Sequence, residues 1–171
     1  MPLLAKRIAS FGLIAALTAS LTTAYAELKI GSDFPDLASF KFEGQLPAAL
    51  TGKTVLVDFW ASWCAPCKKS FPVLDDLQKN FASQGLVIIA VNEDQKKSDM
   101  DLFLKENKVS FVVVRDAAPD GKKLVDKMDV STMPSSFIID ATGKVRFVHS
   151  GFQGADTKKE YEKEIKSLLK K

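Results

Sequence analysis

The sequence predicts a single α/β domain whose mixed central sheet is flanked by helices on both faces. Apolar runs of strand length alternate along the chain with segments in which apolar residues recur every three or four positions. This is the pattern of strands that alternate with amphipathic helices. The last apolar run is followed by a tight turn and an alternating segment, which predicts an antiparallel hairpin at one edge of the sheet. With 171 residues, the chain has the length of one ordinary domain.

Residues 1–26 have the pattern of a secretory signal peptide, so we assign residues 27–171 to the folded domain. Lys6 and Arg7 precede an apolar run, and the sequence AYA that ends at Ala26 fits a small-x-small cleavage site. The apolar run is shorter than the roughly 20 residues of a membrane-spanning helix. An uncleaved membrane anchor is the alternative. In both cases we expect an exported, periplasmic protein, with membrane contact only if the segment is retained.

Without the signal segment the chain is almost neutral, because 22 basic and 21 acidic residues remain. Such a balance provides no field for nucleic acid or for an anionic membrane, and we expect neither as a partner. The lysines near the C-terminus are interleaved with glutamates, which is typical of a solvated helix face.

Four continuous apolar runs predict strands that are buried on both faces. They are Thr54–Trp60, Leu86–Val91, Phe111–Val114 and Ser136–Ile139. The segment Lys144–His149 alternates between apolar and polar residues, which predicts an edge strand, and we expect His149 to be an ordinary strand residue. For Ala38–Ala49 we predict a short additional strand or a loop.

Three segments carry the spacing of helices with one buried face. The first is Cys67–Phe81 and the second is Ser98–Asn107, which starts with a candidate capping box formed by Ser98 and Asp101. The third begins near Thr157 and is expected to bury its apolar stripe. That stripe consists of Tyr161, Ile165, Leu168 and Leu169.

The only two cysteines, Cys64 and Cys67, lie three positions apart in VDFWASWCAPCKK, directly after the first predicted strand. A structural disulfide between them would close almost no loop and would stabilise the fold little. A structural zinc site needs four ligands, whereas the chain adds only His149, far away in sequence. The remaining interpretation is a redox-active pair, since C-x-x-C beside a β-α pattern is a redox signature.

Cys64 falls at the junction of strand and helix, where the helix N-terminus stabilises a thiolate. We therefore predict that Cys64 is the attacking nucleophile and that Cys67 is the resolving thiol. The intervening Ala65 and Pro66 add no positive charge, which favours a reducing couple.

Asp58 is unusual because a carboxylate inside an apolar strand is costly. Burial raises the pKa of such a group, so Asp58 is a candidate to take a proton from Cys67, directly or through a water. The alternative is an aspartate at a strand end that caps a neighbouring element.

The segment VDFWASWCAPCKKSFP resembles the active-site segment of the thioredoxin superfamily. The exported context and the predicted helix Ser98–Asn107 resemble its TlpA/ResA-like periplasmic branch. The similarity runs from about Asp33 to the C-terminal helix and includes Pro72 and Val130–Pro134. It implies a thioredoxin-like fold and a cis-proline at the end of the latter segment, facing the disulfide. It also matches Asp58 to the buried aspartate of thioredoxins.

The resemblance also implies a partner-binding surface beside the cysteines. Trp63 would flank the sulfur, and the backbone of Met133, held by Pro134, would pair with an incoming chain. Relatives carry an active-site glutamate after the second core strand, a position that falls near Gln95. Whether either of the preceding acids, Glu93 and Asp94, reaches the dithiol is left open.

The expected function is a thiol-disulfide oxidoreductase that reduces disulfides of client proteins and receives electrons from an upstream thiol protein. We expect a monomer that needs no cofactor and no metal, and the branch suggests a role in cytochrome c biogenesis. The alternatives are a Cu(I) chaperone with Cys64, Cys67 and Met133 as soft ligands, and a disulfide oxidase or isomerase. A DsbA-like oxidant would need a large helical insertion, and a peroxiredoxin would need threonine where Ala61 stands.

Overall fold

Six strands form one mixed sheet in the computed structural model, which describes residues 30–169 and leaves the predicted signal segment outside. The strands are β1 (Phe42–Glu43), β2 (Thr54–Trp60), β3 (Leu86–Asn92), β4 (Val112–Asp116), β5 (Ser135–Ile139) and β6 (Val145–Ser150). Their order is β1-β4-β3-β2-β5-β6. β2, β3 and β4 are parallel, whereas β1, β5 and β6 each run antiparallel to a neighbour. The predicted mixed α/β sheet is confirmed.

β2 lies at the centre of the sheet, and all seven of its residues are buried. Successive side chains of a strand point to opposite faces, so this apolar run supplies two cores at once. Leu56 and Trp60 contribute to one core, and Val57 and Phe59 contribute to the other. The side chain of Asp58 therefore lies on the same face as Leu56 and Trp60.

Helices cover both faces of the sheet. They are α1 (Ala65–Phe81), α2 (Lys97–Glu106), α3 (Leu124–Lys127) and α4 (Ala155–Leu169). α1, α2 and α4 pack on the face of Trp60, whereas α3 packs on the face of Phe59. No helix within residues 30–169 is long and apolar enough to cross a membrane.

The three predicted helices begin one or two residues earlier in the structure than predicted. α1 begins at Ala65, and Cys64 is its N-cap. α2 begins at Lys97, and its N-cap residue Lys96 makes no side-chain cap. The predicted capping box is wrong, because Ser98 lies inside the first turn and its hydroxyl contacts the neighbouring carboxylate of Asp99 at 3.4 Å.

Two regions were predicted only loosely or not at all. The segment predicted as a strand or loop contains most of a short 3-10 turn, Leu37–Ser39, followed by β1. α3 is four residues long, which is too short to show a periodic pattern. In the last helix Tyr161 and Ile165 are buried as predicted. Leu168 and Leu169 are partly buried and pack against the same core.

β1 closes one edge of the sheet through a short contact with the end of β4. Glu43 is the register partner of Arg115, whose guanidinium donates to both carboxylate oxygens at 2.9 and 3.0 Å. Gly44 follows with φ 117°, and a Cβ at this position would lie 3.1 Å from the carbonyl oxygen of Val113. Only glycine lets the chain approach β4 this closely.

Candidate active site

The two cysteines form a disulfide at the N-terminus of α1. Their Cα atoms are 5.3 Å apart, and the backbone N–H of Cys67 donates to Cys64 Sγ at 3.3 Å. Pro66 lies in the first helical turn, where its missing N–H leaves no hydrogen bond unmade. The end of β2 thus delivers Cys64 to the positive end of the helix, where negative charge on sulfur is stabilised.

The two cysteines differ in their exposure to solvent. Cys64 is 5% exposed, whereas Cys67 is completely buried. A disulfide on another protein can therefore reach Cys64 more readily than Cys67. The assignment of Cys64 as the attacking thiol and Cys67 as the resolving thiol stays a prediction.

The residues predicted to bind a partner are Trp63, Met133 and Pro134. The Trp63 side chain is 70% exposed, whereas the other tryptophan, Trp60, is fully buried. The Met133–Pro134 peptide bond is cis, as the resemblance implied. Met133 is half-buried and packs against the core cluster that contains both cysteines.

Asp58 is 1% exposed and lies in the middle of β2. Its Oδ1 accepts a hydrogen bond from Ser136 Oγ at 2.5 Å, whereas its Oδ2 has no partner among residues 30–169. Burial raises the pKa of Asp58 to about 7, and the hydrogen bond from Ser136 opposes part of that rise. The alternative of an aspartate that caps a strand end is wrong, because this carboxylate binds a side chain of the neighbouring strand β5.

The carboxylate of Asp94 holds the loop that leads to the disulfide. Its carboxylate accepts hydrogen bonds from the backbone N–H of Ser62 at 3.1 Å and from Ser62 Oγ at 3.0 Å. Asn92 Nδ2 donates to the same carboxylate at 2.9 Å. Asp94 is 1% exposed, so it forms a buried anchor two residues before Cys64.

Glu93 points to the other face of the sheet, toward α3. Its carboxylate lies 3.4 Å from Lys123 Nζ, and its Oε1 has no partner in the described part of the chain. Burial, followed by the negative charge of Asp116, raises the pKa of Glu93 to about 8. Gln95 is exposed, and its backbone carbonyl accepts a hydrogen bond from Arg115. In the described part of the chain Asp94 thus anchors Ser62, whereas Glu93 pairs with Lys123.

Sequence reasoning missed three functional candidates, namely Ser62, Ser136 and Tyr161. Ser136 connects Asp58 to Tyr161, because its Oγ lies 2.7 Å from the Tyr161 hydroxyl. Asp58 and Ser136 are 78 positions apart, so no local pattern indicates this contact. The one available signal is the polar Ser136 at the start of an apolar run.

Comparison with known proteins agrees with this geometry. The thioredoxin-like family model matches residues 52–145. The thiol-disulfide oxidoreductase ResA of Bacillus subtilis (strain 168) is 39% identical over 123 residues, which cover 71% of this chain and 67% of the relative.

Two solved structures are also similar. One is a Chlorobium tepidum protein described as a thiol:disulfide interchange protein DsbE, with 37% identity and a TM-score of 0.73. The match covers 83% of this chain and 99% of that protein. The other is StoA from Bacillus subtilis, with 29% identity, a TM-score of 0.56, and coverage of 66% and 84%. The chain therefore belongs to the thioredoxin-like family and is a thiol-disulfide oxidoreductase of the ResA/DsbE type, with Cys64 and Cys67 as its C-x-x-C pair.

Proposed function

We propose that the protein is an exported reductase that converts disulfides of client proteins to thiols. The observation that supports this most is the difference in exposure between the two cysteines, together with a buried carboxyl on the same face of the sheet. Cys64 keeps 5% of its surface exposed, whereas Cys67 is fully buried and lies on the face of the sheet that carries Asp58, whose pKa burial raises. A nucleophile outside and a resolving thiol with a proton acceptor inside are the parts that a two-step exchange requires.

In the first step the Cys64 thiolate attacks a client disulfide. A mixed disulfide forms between Cys64 and one client sulfur, and the other client sulfur leaves as a thiolate. In the second step Cys67 gives its proton to the Asp58 carboxylate and attacks Cys64 Sγ. The Cys64–Cys67 disulfide forms, the second client thiolate leaves, and the client has gained two electrons. An upstream thiol protein then reduces the disulfide by the same exchange in reverse.

Client recognition would use the surface beside Cys64. Trp63 offers a large exposed ring, and the chain around Met133 offers backbone groups for a short strand pairing. Aromatic residues of this kind are frequent energetic centres of interfaces. We propose that clients dock here as extended segments, and that clients connected with cytochrome c biogenesis are among them.

The direction of electron flow follows from how strongly the fold stabilises the Cys64 thiolate. Ala65 and Pro66 place no cation between the sulfurs, and an ionised Asp58 would oppose a further negative charge nearby. Both features favour a thiolate with a modestly lowered pKa. They therefore favour the disulfide form, which is the signature of a reducing couple.

The reduction potential tests this direction. The purified protein is equilibrated with mixtures of reduced and oxidised dithiothreitol, and the fraction of Cys64–Cys67 disulfide is measured by alkylation and mass spectrometry. We expect a potential near the value of about −270 mV of thioredoxin rather than the value of about −120 mV of DsbA. A potential above about −180 mV, the level of protein disulfide isomerase, would contradict a reductase.

The roles of the two cysteines are tested separately from the direction. In the reduced protein at neutral pH, Cys64 should alkylate much faster than Cys67. Cys64→Ser should abolish insulin reduction, and Cys67→Ser should accumulate mixed disulfides with clients that mass spectrometry can identify. Faster alkylation of Cys67 would reverse the assignment.

A further inference from the structure

A row of polar side chains crosses the face of the sheet that α4 covers. Asp58 of β2 is the register partner of Ser136 of β5, and Ser136 is the register partner of His149 of β6. Directly paired residues of neighbouring strands place their side chains on the same face. Tyr161 of α4 lies over this row, and its ring packs edge-on against His149 with centroids 4.8 Å apart.

The hydrogen bonds in this row have one consistent direction when Asp58 is ionised. A serine hydroxyl has a single proton and can also accept. Because Ser136 donates to Asp58 Oδ1 at 2.5 Å, the Tyr161 hydroxyl at 2.7 Å must donate to Ser136. Burial also raises the pKa of Tyr161, so its hydroxyl keeps its proton across the neutral range.

The two oxygens of Asp58 therefore differ. Oδ1 is held by the pair of hydroxyls, whereas Oδ2 is buried and has no partner within residues 30–169. The oxygen that receives no hydrogen bond is the more basic one, because nothing stabilises its negative charge. Oδ2 is thus the atom at which a proton is most readily taken up.

We propose that Ser136 and Tyr161 are positioning residues for Asp58: their hydroxyls donate in sequence to Oδ1 and leave Oδ2 as the acceptor of the Cys67 proton. The assignment rests on the proposed role of Asp58 in the second step of exchange. Only one proton moves, from the sulfur of Cys67 to Oδ2. The hydroxyl protons stay on Ser136 and Tyr161.

Few other charges act on this site. On β3 the register partner of Asp58 is Ala90, which carries no charge. Cys67 of α1 belongs to the core cluster that contains Ala90. From β5 and α4 come the two hydroxyls. Behind Tyr161 lie the imidazole of His149 and the carboxylates of Glu164 and Glu160. His149 Nε2 lies 2.7 Å from a carboxylate oxygen of Glu164, and its Nδ1 lies 3.8 Å from one of Glu160.

These outer groups hold the ring of Tyr161 and do not belong to the hydrogen-bonded chain. His149 is fixed by Glu164 and contacts the tyrosine ring through its edge. The negative charges of Glu164 and Glu160 further raise the pKa of Tyr161 and so favour its protonated, donating form. Their effect on Asp58 is therefore indirect.

The proposal is tested by following the Asp58 carboxyl carbon by NMR during a pH titration of the oxidised protein, in which no thiol titrates. Ser136→Ala removes the hydrogen bond to Oδ1, and we expect the titration midpoint to rise by about 1 to 2 pH units. Tyr161→Phe leaves Ser136 in place and should raise it by about half a unit. Ser136→Thr restores a hydroxyl and should return the midpoint close to that of the wild type.

A matched control is Ser135→Ala. Ser135 precedes Ser136 and points to the opposite face, and its hydroxyl donates to the Thr132 carbonyl. This change should leave the Asp58 midpoint unaltered. If both Ser136→Ala and Tyr161→Phe also leave it unaltered, the proposal is refuted. Should Ser136→Ala fail to fold, the Tyr161→Phe midpoint decides alone.

Mixed-disulfide decay gives the functional measurement. With a higher Asp58 midpoint, decay at pH 7 should slow about tenfold in Ser136→Ala and should recover as the pH is raised. In the Asp58→Asn background, Ser136→Ala should cause no further slowing, because there is no titrating group left to position. A shifted midpoint together with unchanged decay in Asp58→Asn would refute the role of Asp58 in resolution but not the hydrogen-bonded chain.

Discussion

Replacing Asp58 by asparagine should make the oxidised protein more stable at alkaline pH. Burial raises the pKa of Asp58 from 3.8 to about 7, so the folded state binds this proton more tightly than the unfolded chain does. The carboxyl therefore destabilises the fold fully above pH 7. The penalty shrinks as the pH falls from 7 toward 3.8 and is absent below that range.

The size of the effect follows from the two pKa values. Each tenfold difference in proton affinity corresponds to about 1.4 kcal/mol, so the ionised carboxyl destabilises the fold by about 4 kcal/mol at pH 8. Domains are stable by only about 5–15 kcal/mol, so this is a large fraction. Asparagine places an amide NH2 in the same buried site, which costs about 1–3 kcal/mol. That cost does not depend on pH and cancels when two pH values are compared.

Urea unfolding of the oxidised wild type and Asp58→Asn at pH 4 and pH 8 measures this difference. The advantage of the variant should be about 4 kcal/mol larger at pH 8 than at pH 4. Asp120→Asn is the matched control, because it makes the same chemical change at an exposed aspartate. Parallel stability curves for Asp58→Asn and the wild type would show that Asp58 titrates alike in both states, and the proton-acceptor role would lose its basis.

Three further changes test other parts of the site. Asp94→Ala removes the anchor of Ser62, so it should destabilise the fold by about 3 kcal/mol and alter the alkylation rate of Cys64. The control Asp120→Ala should change stability by less than about 0.5 kcal/mol. Trp63→Ala should slow client reduction several-fold without lowering the unfolding midpoint. Leu102 is also more than 60% exposed, and the control Leu102→Ala should change neither the reduction rate nor the unfolding midpoint. Glu93→Gln should stabilise the protein above pH 8 by about 2 kcal/mol and have no effect near pH 4, because the raised pKa of Glu93 destabilises the fold only where the carboxyl is ionised. Equal stability of the Glu93 variant and the wild type at pH 9 would contradict this.

The sequence was sufficient for the features that depend on local patterns. The apolar run of β2 predicted a strand buried on both faces with its observed bounds, since such a strand is apolar at nearly every position. Asp58, the one charged residue of this run, is recognisable for the same reason, because a strand buried on both faces leaves its side chain no route to solvent. The C-x-x-C spacing and the helix that follows it likewise identified the dithiol.

Features made by distant residues could not be read from the sequence. The bond between Asp94 and Ser62 joins residues 32 positions apart, and nothing near either residue indicates the other. Ser136 was assigned to a strand correctly, but its role depends on α4, which places Tyr161 over that strand. The capping box failed because a suitable pair of side chains does not decide where a helix starts. The backbone at Lys96, one residue before the first turn, decides it instead.

The approach of Gly44 to β4 has a consequence for self-association. A strand edge with free backbone groups is a template for pairing with another chain, and the valine-rich β4 would be an attractive one. β1 covers only the Arg115 end of that edge, and it can do so because residue 44 has no side chain. An alanine at this position would press against the Val113 carbonyl at a positive φ and lift β1 away. The tendency of the protein to self-associate would then depend on Gly44 at the edge of the sheet, while the dithiol centre stays intact.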